Sequence, residues 1–465
     1  MIDRYKLYCR TFLIAFWVAQ CFGFVSEELL PPINALRSPV MFLCDMVILI
    51  LGIVTLRINR NKGDNRVVGL FALLAVVSTL LINREGFLML FNGMRDFLGL
   101  LFILPIMRYL LTSSKGGERY VKMFDRQLMV YLWLQAVCVT WQFVKYGAGD
   151  SVGGTMGEGA SGVVSTCIYF VSFYLMTKRW DTSKSYFRNL WNNFILLFLL
   201  YPSFLNETKI SFIFLLCYFL LLIKLDKAAV RKFLLAIPAL FAILAILFPI
   251  YLDVTDQDAD RVLSEQFFDD YLFGGEDLDR MVEVALLVQD GTIVIEATDV
   301  WSVDIPRFTK ILWLPQTLGD SKGGMIFGAG LGQFKGGQSV EMSRFAKDNQ
   351  WALLGSRPWS FFVIVQLGLL GLIWYIGTAG WILSYKHKGY AYAKNIKIYL
   401  TVILSLVLLY NESLRSFQFC AILFYIALYA TLKMGQESDE DLTYNHLMSD
   451  EQRKAPESIG TGTGL

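Results

Sequence analysis

Long charge-poor apolar runs are the feature that most constrains this chain of 465 residues. A helix needs roughly 20 apolar residues to cross about 30 Å of hydrocarbon. Runs of nearly this length or longer recur along the chain: Cys9 to Val25, Pro39 to Leu56, Val67 to Ile82, Phe91 to Leu111, Leu128 to Val144, Val163 to Met176, Leu190 to Leu205, Ile210 to Leu225, Phe233 to Leu252, Trp359 to Tyr385, Ile396 to Leu409, and Phe417 to Leu432. The sequence therefore predicts an all-α polytopic membrane protein with about twelve transmembrane helices, within a range of roughly ten to thirteen.

Composition agrees with that class and argues against a nucleic-acid partner. Hydrophobic residues make up 55% of the chain and charged residues only 18%, whereas soluble proteins carry about 25% charged residues. The formal net charge is +2. The basic residues are distributed by loop and form no single basic face of the kind that binds a phosphate backbone.

Lysine and arginine concentrate in alternate loops, which predicts an orientation. The rich loops contain Arg57, Arg60, Lys62 and Arg66; Lys115, Arg119, Lys122 and Arg126; Lys178, Arg179, Lys184 and Arg188; Lys224, Lys227, Arg231 and Lys232; and Lys386, Lys388, Lys394 and Lys397. Such loops face the cytoplasm. Both termini are then expected in the cytoplasm, and the first span, which lacks a small-residue cleavage site, is expected to remain as an anchor.

This alternation divides the chain into four parts. Residues 1–252 carry spans 1 to 9, residues 253–358 form a large, partly helical extracytoplasmic loop, and residues 359–432 carry spans 10 to 12. Residues 433–465, acidic and without an apolar period, are expected to be a disordered cytosolic tail. The outer loop holds 18 acidic and 9 basic residues. All seven cysteines lie in apolar spans, so neither a disulfide framework nor a zinc spacing is predicted.

A glycine-rich stretch stands out in the outer loop. It reads FGAGLGQF over residues 327–334, with Gly328, Gly330 and Gly332 at alternate positions. This G-x-G-x-G spacing differs from the G-x-G-x-x-G of dinucleotide-binding turns. Glycines permit positive φ and close backbone approach, and backbone amides exposed in such turns bind anions. The three glycines are therefore candidate substrate-binding residues for a phosphate that is not part of a nucleotide.

Two stretches flank the glycines. Arg307 opens RFTKILWLPQTLGDSKGGMIFGAGLGQF, and Arg357 opens RPWSFFVIVQLGLLGLIWY at the tenth span. Together they resemble the O-antigen polymerase and O-antigen ligase family. The resemblance implies a membrane glycosyltransferase of the GT-C class, in the bacterial inner membrane, acting on its outer face. It implies an undecaprenyl-diphosphate-linked oligosaccharide as donor, needing no metal or cofactor, and it suggests membrane lipid and a chain-length regulator as partners. The product would be O-antigen of lipopolysaccharide, capsule or exopolysaccharide.

Basic residues on the outer side are few and therefore informative. The candidates among them are Arg37, Arg84, Arg95, Lys209, Arg280, Arg307, Arg357 and Arg415. Guanidinium groups bind phosphate oxygens bidentately and stabilise the charge on a departing diphosphate. Arg307, Arg95 and Lys209 are predicted to be catalytic, although Lys209 stands where the family shows arginine. Arg37, Arg84, Arg280, Arg357 and Arg415 are predicted to bind substrate.

A structural interpretation competes with this one, because acids adjoin several of these cations. Glu85 follows Arg84, Asp96 follows Arg95, Glu207 precedes Lys209 and Glu412 precedes Arg415. Simple pairing with those acids would account for each cation without any substrate.

Histidine distinguishes the two activities of the family. Only His387 and His446 exist, and both are predicted to be cytoplasmic. Ligases of the family place a histidine near the start of the span that corresponds to Trp359, where this chain reads GSRPWS. Polymerisation of repeat units is therefore favoured over ligase-type transfer. A transporter or flippase of polysaccharide precursors and a structural membrane protein remain alternatives. The general base stays open, with Asp304 and Asp320 nearest the motif.

Overall fold

The computed structural model describes residues 4–59, 61–112, 117–147, 149, 151–206, 211–222, 305–319, 321–334, 342–353, 355, 357–384 and 392–430. The predicted ninth span, most of the predicted outer loop and the predicted tail lie outside these residues. So do Lys209, Arg280, Asp304, Asp320 and both histidines.

The described part of the chain is helical and contains no strand. Its α-helices are α1 (Arg4–Phe24), α2 (Arg37–Asn59), α3 (Lys62–Val76), α4 (Phe87–Met94), α5 (Leu104–Thr112), α6 (Gly117–Tyr146), α7 (Ser161–Arg179), α8 (Tyr186–Asn192), α9 (Phe194–Phe198), α10 (Pro202–Leu205), α11 (Ser211–Leu221), α12 (Arg307–Leu312), α13 (Leu314–Thr317), α14 (Gly324–Phe327), α15 (Arg344–Asp348), α16 (Gln350–Leu353), α17 (Trp359–Leu383), α18 (Ala393–Tyr410) and α19 (Phe417–Ala430). Short π- or 3₁₀-helical segments extend several of them: Val25–Leu29, Pro31–Leu36, Val77–Ile82, Arg95–Phe97, Gly99–Ile103, Gly154–Met156 and Ser413–Arg415.

The described helices have the apolar character of membrane spans, but fewer of them are long enough to span a membrane than the twelve predicted from the sequence. Among the described residues six helices are long and apolar enough to cross a bilayer: Tyr5–Leu29, Pro31–Ile58, Lys62–Ile82, Arg119–Tyr146, Trp359–Leu383 and Ala393–Tyr410. A bent pair, Phe87–Phe97 with Gly99–Leu111, would be a seventh. Two predicted spans, Leu190 to Leu205 and Ile210 to Leu225, contain only shorter helices where described.

Helix α7 lies at the centre of the bundle. Fifteen of its 19 residues are buried, and large rings such as Tyr169 and Phe173 are fully enclosed. Helices nearer the surface expose apolar side chains instead. Leu73 is 63% exposed and Ile373 64% exposed. A surface of this kind is stable against hydrocarbon and costly against water, because burying apolar area is worth roughly 25 cal/mol per Å².

Charged pairs mark the two ends of the bundle. At one end Arg108 of α5 pairs with Asp64 of α3 at 3.2 Å. The other end carries the start of α2, the start of α17 and the turn after α18, and there Arg357 pairs with Glu412 at 2.9 Å. We call this second end the arginine end. Most of the basic residues predicted to lie outside, where the structure describes them, lie at or just below it.

Three backbone breaks lie below the arginine end. The helices Phe87–Phe97 and Gly99–Leu111 meet at 59°. Helix α17 leaves helical dihedral angles at Gly368, and the turn Ser413–Arg415 separates α18 from the short α19. Irregular backbone at membrane depth is tolerated where protein or a polar cavity satisfies it. The breaks therefore mark where polar chemistry is concentrated.

Candidate functional site

The glycine element, residues 327–334, closes the break in α17. Gly368 has φ 67° and ψ −166°, so the carbonyls just before it lose their helical partners. The amide of Ala329 donates to the carbonyl of Val365 at 2.7 Å, and the amide of Gly330 donates to that of Gln366 at 3.1 Å. The element thereby supplies, across 35 residues of sequence, the hydrogen bonds that the helix itself lacks.

Side chains of α17 and of the segment after α3 complete this closure. The amide of Leu331 donates to Thr79 Oγ1 at 2.9 Å, and that of Gly332 donates to Gln366 Oε1 at 2.8 Å. Ser78 donates its hydroxyl proton to the carbonyl of Phe327 at 2.6 Å. The first two of these hydrogen bonds are buried, where an unmade hydrogen bond would cost about 1–3 kcal/mol, and the third is partly buried.

Glycine is required here by contact as well as by conformation. Gly328, Gly330 and Gly332 have φ of 69°, 91° and 93°. A Cβ on Gly328 would lie 2.7 Å from the amide nitrogen of Gly368, and one on Gly332 would lie 2.7 Å from the carbonyl oxygen of Met89. Real Cβ atoms do not approach backbone so closely, so a side chain at either position would separate the element from the helices.

These contacts correct the prediction that the glycines offer exposed amides to an anion. The amide of Gly328 donates to the carbonyl of Gly324 at 2.9 Å, and the next four amides have the partners described above. An amide already donating inside the protein has no proton left for a phosphate oxygen. Gly328, Gly330 and Gly332 therefore hold the element against the helices, and their amides are engaged within the protein.

The arginine cluster consists of Arg357, Glu412, Arg415 and Asp96. Arg357 donates to Glu412 Oε1 at 2.9 Å, and Arg415 donates to the same oxygen at 2.8 Å. Arg415 also donates to Asp96 Oδ1 at 3.2 Å, and Arg357 donates to the carbonyl of Leu353 at 2.8 Å. Two arginines distant in sequence thus share one carboxylate oxygen.

Aromatic rings support both guanidinium groups. Arg357 lies 4.9 Å from the ring centre of Phe334, and Arg415 lies 5.0 Å from that of Phe362. The two rings stack on one another at 4.7 Å. Cations over ring faces gain roughly 0.5–2 kcal/mol. Phe334 is the last residue of the glycine element. The hydrogen bonds between this element and α17 therefore also position the ring on which Arg357 lies.

Arg307 lies next to this cluster. Its guanidinium carbon is 4.1 Å from the ring centre of Tyr410, and Tyr410 ends α18 two residues before Glu412. Arg307 is the first residue of α12, and Pro306 stands at the N-cap. Three of the predicted cations, Arg307, Arg357 and Arg415, therefore lie near one another, and their roles stay a prediction.

Buried polar atoms without a hydrogen-bond partner also gather here. Within the described residues they include Arg357 Nε, Trp359 Nε1, Ser360 Oγ, Glu412 Oε2 and Gln418 Nε2. A protein usually satisfies such atoms. Their concentration on the first turn of α17 and around the turn after α18 is typical of a binding site, since a substrate that donates and accepts hydrogen bonds would satisfy them.

The other predicted cations have separate partners. Arg95 donates twice to Asp45 Oδ2, at 2.9 and 2.7 Å, and Arg37 pairs with Glu27. Neither belongs to the arginine cluster. The neighbouring Asp96 belongs to Arg415 and not to Arg95, whereas the Glu412 to Arg415 pairing matches the adjacent-acid interpretation.

Arg84 occupies an exposed turn, and the neighbouring Glu85 interacts with Lys322 and with Gln333 of the glycine element. Arg84 is the only non-glycine residue with positive φ (57°) in the described chain. Burial raises the pKa of Glu85 above its ordinary value, and the Lys322 ammonium and a hydrogen bond with Gln333 offset part of that rise. Glu85 therefore associates with residues next to the glycine element.

The sequence interpretation missed a second glycine-rich segment. Residues 151–160 of this segment pack into the bundle at the arginine end, where Gln20 and Gln135 donate to Thr155 Oγ1 at 2.7 and 2.6 Å. Arg37 donates to the carbonyl of Met156 at 3.1 Å. Six glycines between Gly147 and Gly159 were the available signal.

Two apolar grooves run along the outside of the bundle. One, of about 620 Å³, lies between α3 and α17 and is lined by residues that include Leu70, Leu73, Ile373 and Phe327. The other, of about 690 Å³, lies between α6 and the α9–α10 region and is lined by residues that include Trp133, Val137 and Phe198. The first groove reaches the glycine element through Phe327.

Neither the search for metal ligands nor the comparison with known proteins identifies the chain further. The described residues contain no group of three or more His, Cys, Asp or Glu side chains that could hold a metal ion. A scan of protein-family models and a search of curated proteins both return no match to this chain.

Proposed function

We propose that the chain is a membrane glycosyltransferase that polymerises polyprenyl-diphosphate-linked oligosaccharide repeat units. The observation that carries the proposal is the arrangement of Arg357 and Arg415 around Glu412, with Arg307 adjacent at the end of α18. Ionisable groups that are largely buried at the mouth of an apolar bundle are costly and usually functional. Three guanidinium groups at one rim match a ligand with several anionic oxygens.

The chemistry needs charge stabilisation more than any cofactor. A hydroxyl of the acceptor glycan attacks the anomeric carbon of the donor, and the bond to the diphosphate oxygen breaks. Negative charge builds on the leaving diphosphate, where preorganised arginines stabilise it. The unpartnered polar atoms of Ser360, Trp359 and Gln418 are available to orient the sugars.

The groove between α3 and α17 suits the lipid part of this donor. It is apolar along most of its length and reaches Phe327, the first residue of the glycine element. The last residue of the same element, Phe334, supports Arg357. A prenyl chain in this groove would therefore begin one short segment away from the cations that hold its diphosphate.

The resemblance of residues 307–374 to the O-antigen polymerase and ligase family supports the same activity. Polymerase is favoured over ligase because GSRPWS contains no histidine. The proposal includes the bacterial inner membrane, the outer face as the reacting side, cytoplasmic termini, and a chain-length regulator as a partner. Whether the product is O-antigen, capsule or exopolysaccharide depends on which sugars the donor carries.

Reconstitution tests the proposal directly. Purified protein in liposomes is given undecaprenyl-diphosphate-linked repeat units extracted from cells that lack the chain. We expect glycans longer than one repeat unit on a gel. Persistence of single units alone, with folded protein confirmed by size-exclusion chromatography, would refute polymerisation.

A flippase of the same lipid is the second candidate, because the structure contains broken helices. Transporters place discontinuous helices and buried charges at their binding sites. The 59° bend between Phe97 and Gly99 carries Arg95, which pairs with Asp45 inside the bundle. Transfer of a fluorescent lipid diphosphate across the liposome membrane, without glycan growth, would favour this function.

A further inference from the structure

We infer that Glu412 occupies the diphosphate's place in the arginine cluster and becomes the proton acceptor for the attacking hydroxyl once the diphosphate displaces it. The inference rests on the proposed function and deepens it by naming the general base. Neither Asp304 nor Asp320, the acids nearest the motif in sequence, is needed for this role.

The geometry of Glu412 is that of an exchangeable anion. Its Oε1 accepts from both Arg357 and Arg415, at 2.9 and 2.8 Å. Its Oε2 is buried and has no hydrogen-bond partner among the described residues. One carboxylate oxygen therefore holds the two guanidinium groups in the way a phosphate oxygen would, while the other makes no hydrogen bond among the described residues.

Charge balance favours an exchange. The two arginines and two carboxylates of the cluster offset one another, and Arg307 nearby adds one positive charge. A multiply charged diphosphate would exceed that one positive charge unless a carboxylate left the arginines. Glu412, 27% exposed, is freer to move than Asp96, which is 6% exposed. Asp96 also lies on the bent helix, whereas Glu412 lies in the loop after α18.

Once the diphosphate displaces it, Glu412 would lie beside the acceptor hydroxyl whose proton it takes up. The acceptor hydroxyl forms its new bond to the anomeric carbon, and the electron pair of the broken bond stays on the diphosphate oxygen. The hydroxyl proton passes to the Glu412 carboxylate, which later returns it to water. The charged groups around Glu412 are Arg357, two residues before α17, Arg415 from the same turn as Glu412, Arg307 across Tyr410, and Asp96 beyond Arg415.

Binding and transfer give opposite results under this inference. Farnesyl diphosphate serves as a sugar-free probe of binding in detergent. Glu412→Gln keeps the shape of the side chain but removes its charge, and should bind the probe about tenfold more tightly, because the competing anion is lost. Glycan transfer by the same variant should fall by roughly 10²–10⁴-fold, the range for loss of a general base.

Asp96→Asn is the matched comparison, because it removes the other carboxylate of the same cluster. It should also tighten probe binding, but its pH–rate profile should keep the acidic limb that Glu412→Gln loses. The exposed Asp348→Asn should match the native protein in both assays. Weaker probe binding by Glu412→Gln, or transfer by it at the native rate and pH profile, would overturn the inference. Absence of glycan growth by the native protein would instead refute the proposed function.

Discussion

Gly328 and Gly368 approach so closely that a Cβ on Gly328 would lie 2.7 Å from the amide nitrogen of Gly368. This contact joins the glycine element to the break in α17. It fixes where Phe334 lies and, through Phe334, where Arg357 lies.

Gly368→Ala should separate the glycine element from α17 and destabilise the fold. The new Cβ would lie 2.1 Å from the carbonyl oxygen of Ile326 and would force positive φ on alanine. We expect a loss of at least about 2–3 kcal/mol, measured as a lower Tm in detergent. Gly380→Ala, on the same helix with open space around it, should be neutral or stabilising by up to about 1 kcal/mol. Equal effects of the two variants would contradict this explanation.

Arg307→Ala should abolish chain growth while expression and Tm stay near the native values. The guanidinium is expected to stabilise charge on the leaving diphosphate, and loss of such a group costs roughly 10²–10³-fold in rate. Arg344→Ala is the control, because Arg344 is 95% exposed and pairs only with its helical neighbour Asp348 among the described residues. Unchanged glycan ladders in Arg307→Ala would remove Arg307 from the site.

Arg95 should behave as a structural partner of Asp45. Arg95→Ala leaves the Asp45 carboxylate desolvated, with an expected cost of about 1–3 kcal/mol. The double variant Arg95→Met with Asp45→Leu should lose less stability than the sum of the single changes. Thermal unfolding of the four proteins measures this coupling. Strict additivity would show that the pair contributes nothing as a pair.

An apolar side chain that fills the α3–α17 groove should hinder the lipid donor. Ile373→Trp adds bulk at an exposed position of that groove, and we expect the KM for the lipid-linked donor to rise about tenfold or more. Val137→Trp makes a comparable change in the groove along α6 and should leave the KM near the native value. The reverse ranking would assign the prenyl chain to α6.

Glu85 gives a prediction with a definite pH sign. Because burial raises its pKa, the folded protein binds this proton more tightly than the unfolded chain, whose glutamates titrate near 4.3. Its stabilising effect is present at low pH and is lost as pH rises through the folded pKa. Glu85→Gln should therefore raise the Tm near pH 8 and give little gain below about pH 4. A pH-independent difference would contradict the assignment.

Asp181 is a control, because its pKa is shifted in the opposite direction to that of Glu85. Hydrogen bonds from Ser183 and Lys184 lower the pKa of Asp181 to about 2. A lowered pKa contributes stability above the unfolded pKa, and that stability is lost as pH falls through the folded value. Asp181→Asn should thus lower the Tm slightly near neutral pH, where Glu85→Gln raises it.

Apolar length predicted the helices well and their interruptions poorly. Helices α2, α6 and α17 lie where single long runs predict them. The break at Gly368 has no such signal, because QLGLLG reads as continuous apolar sequence and its hydrogen-bond partners come from residues 329 and 330. Long-range closure of this kind depends on tertiary contacts that periodicity does not contain.

Ion pairs could likewise be predicted from the sequence only between near neighbours. Glu412 and Arg415 are three residues apart and do pair, as expected for neighbours on one turn. Arg95 and Asp96 are adjacent, and successive residues of a helix point in different directions, so each pairs elsewhere. Asp45 lies 50 residues from Arg95, and nothing local in the sequence indicates that partner.

The divergence of Arg95 and Asp96 has a mechanical consequence. One peptide unit at the bend connects α2, through Asp45, with the turn after α18, through Arg415. A ligand that draws the Arg415 guanidinium towards a new anion would weaken its contact with Asp96. The residue before Asp96 holds α2, so the bend is the place where we expect ligand binding at Arg415 to alter the Arg95–Asp45 pair.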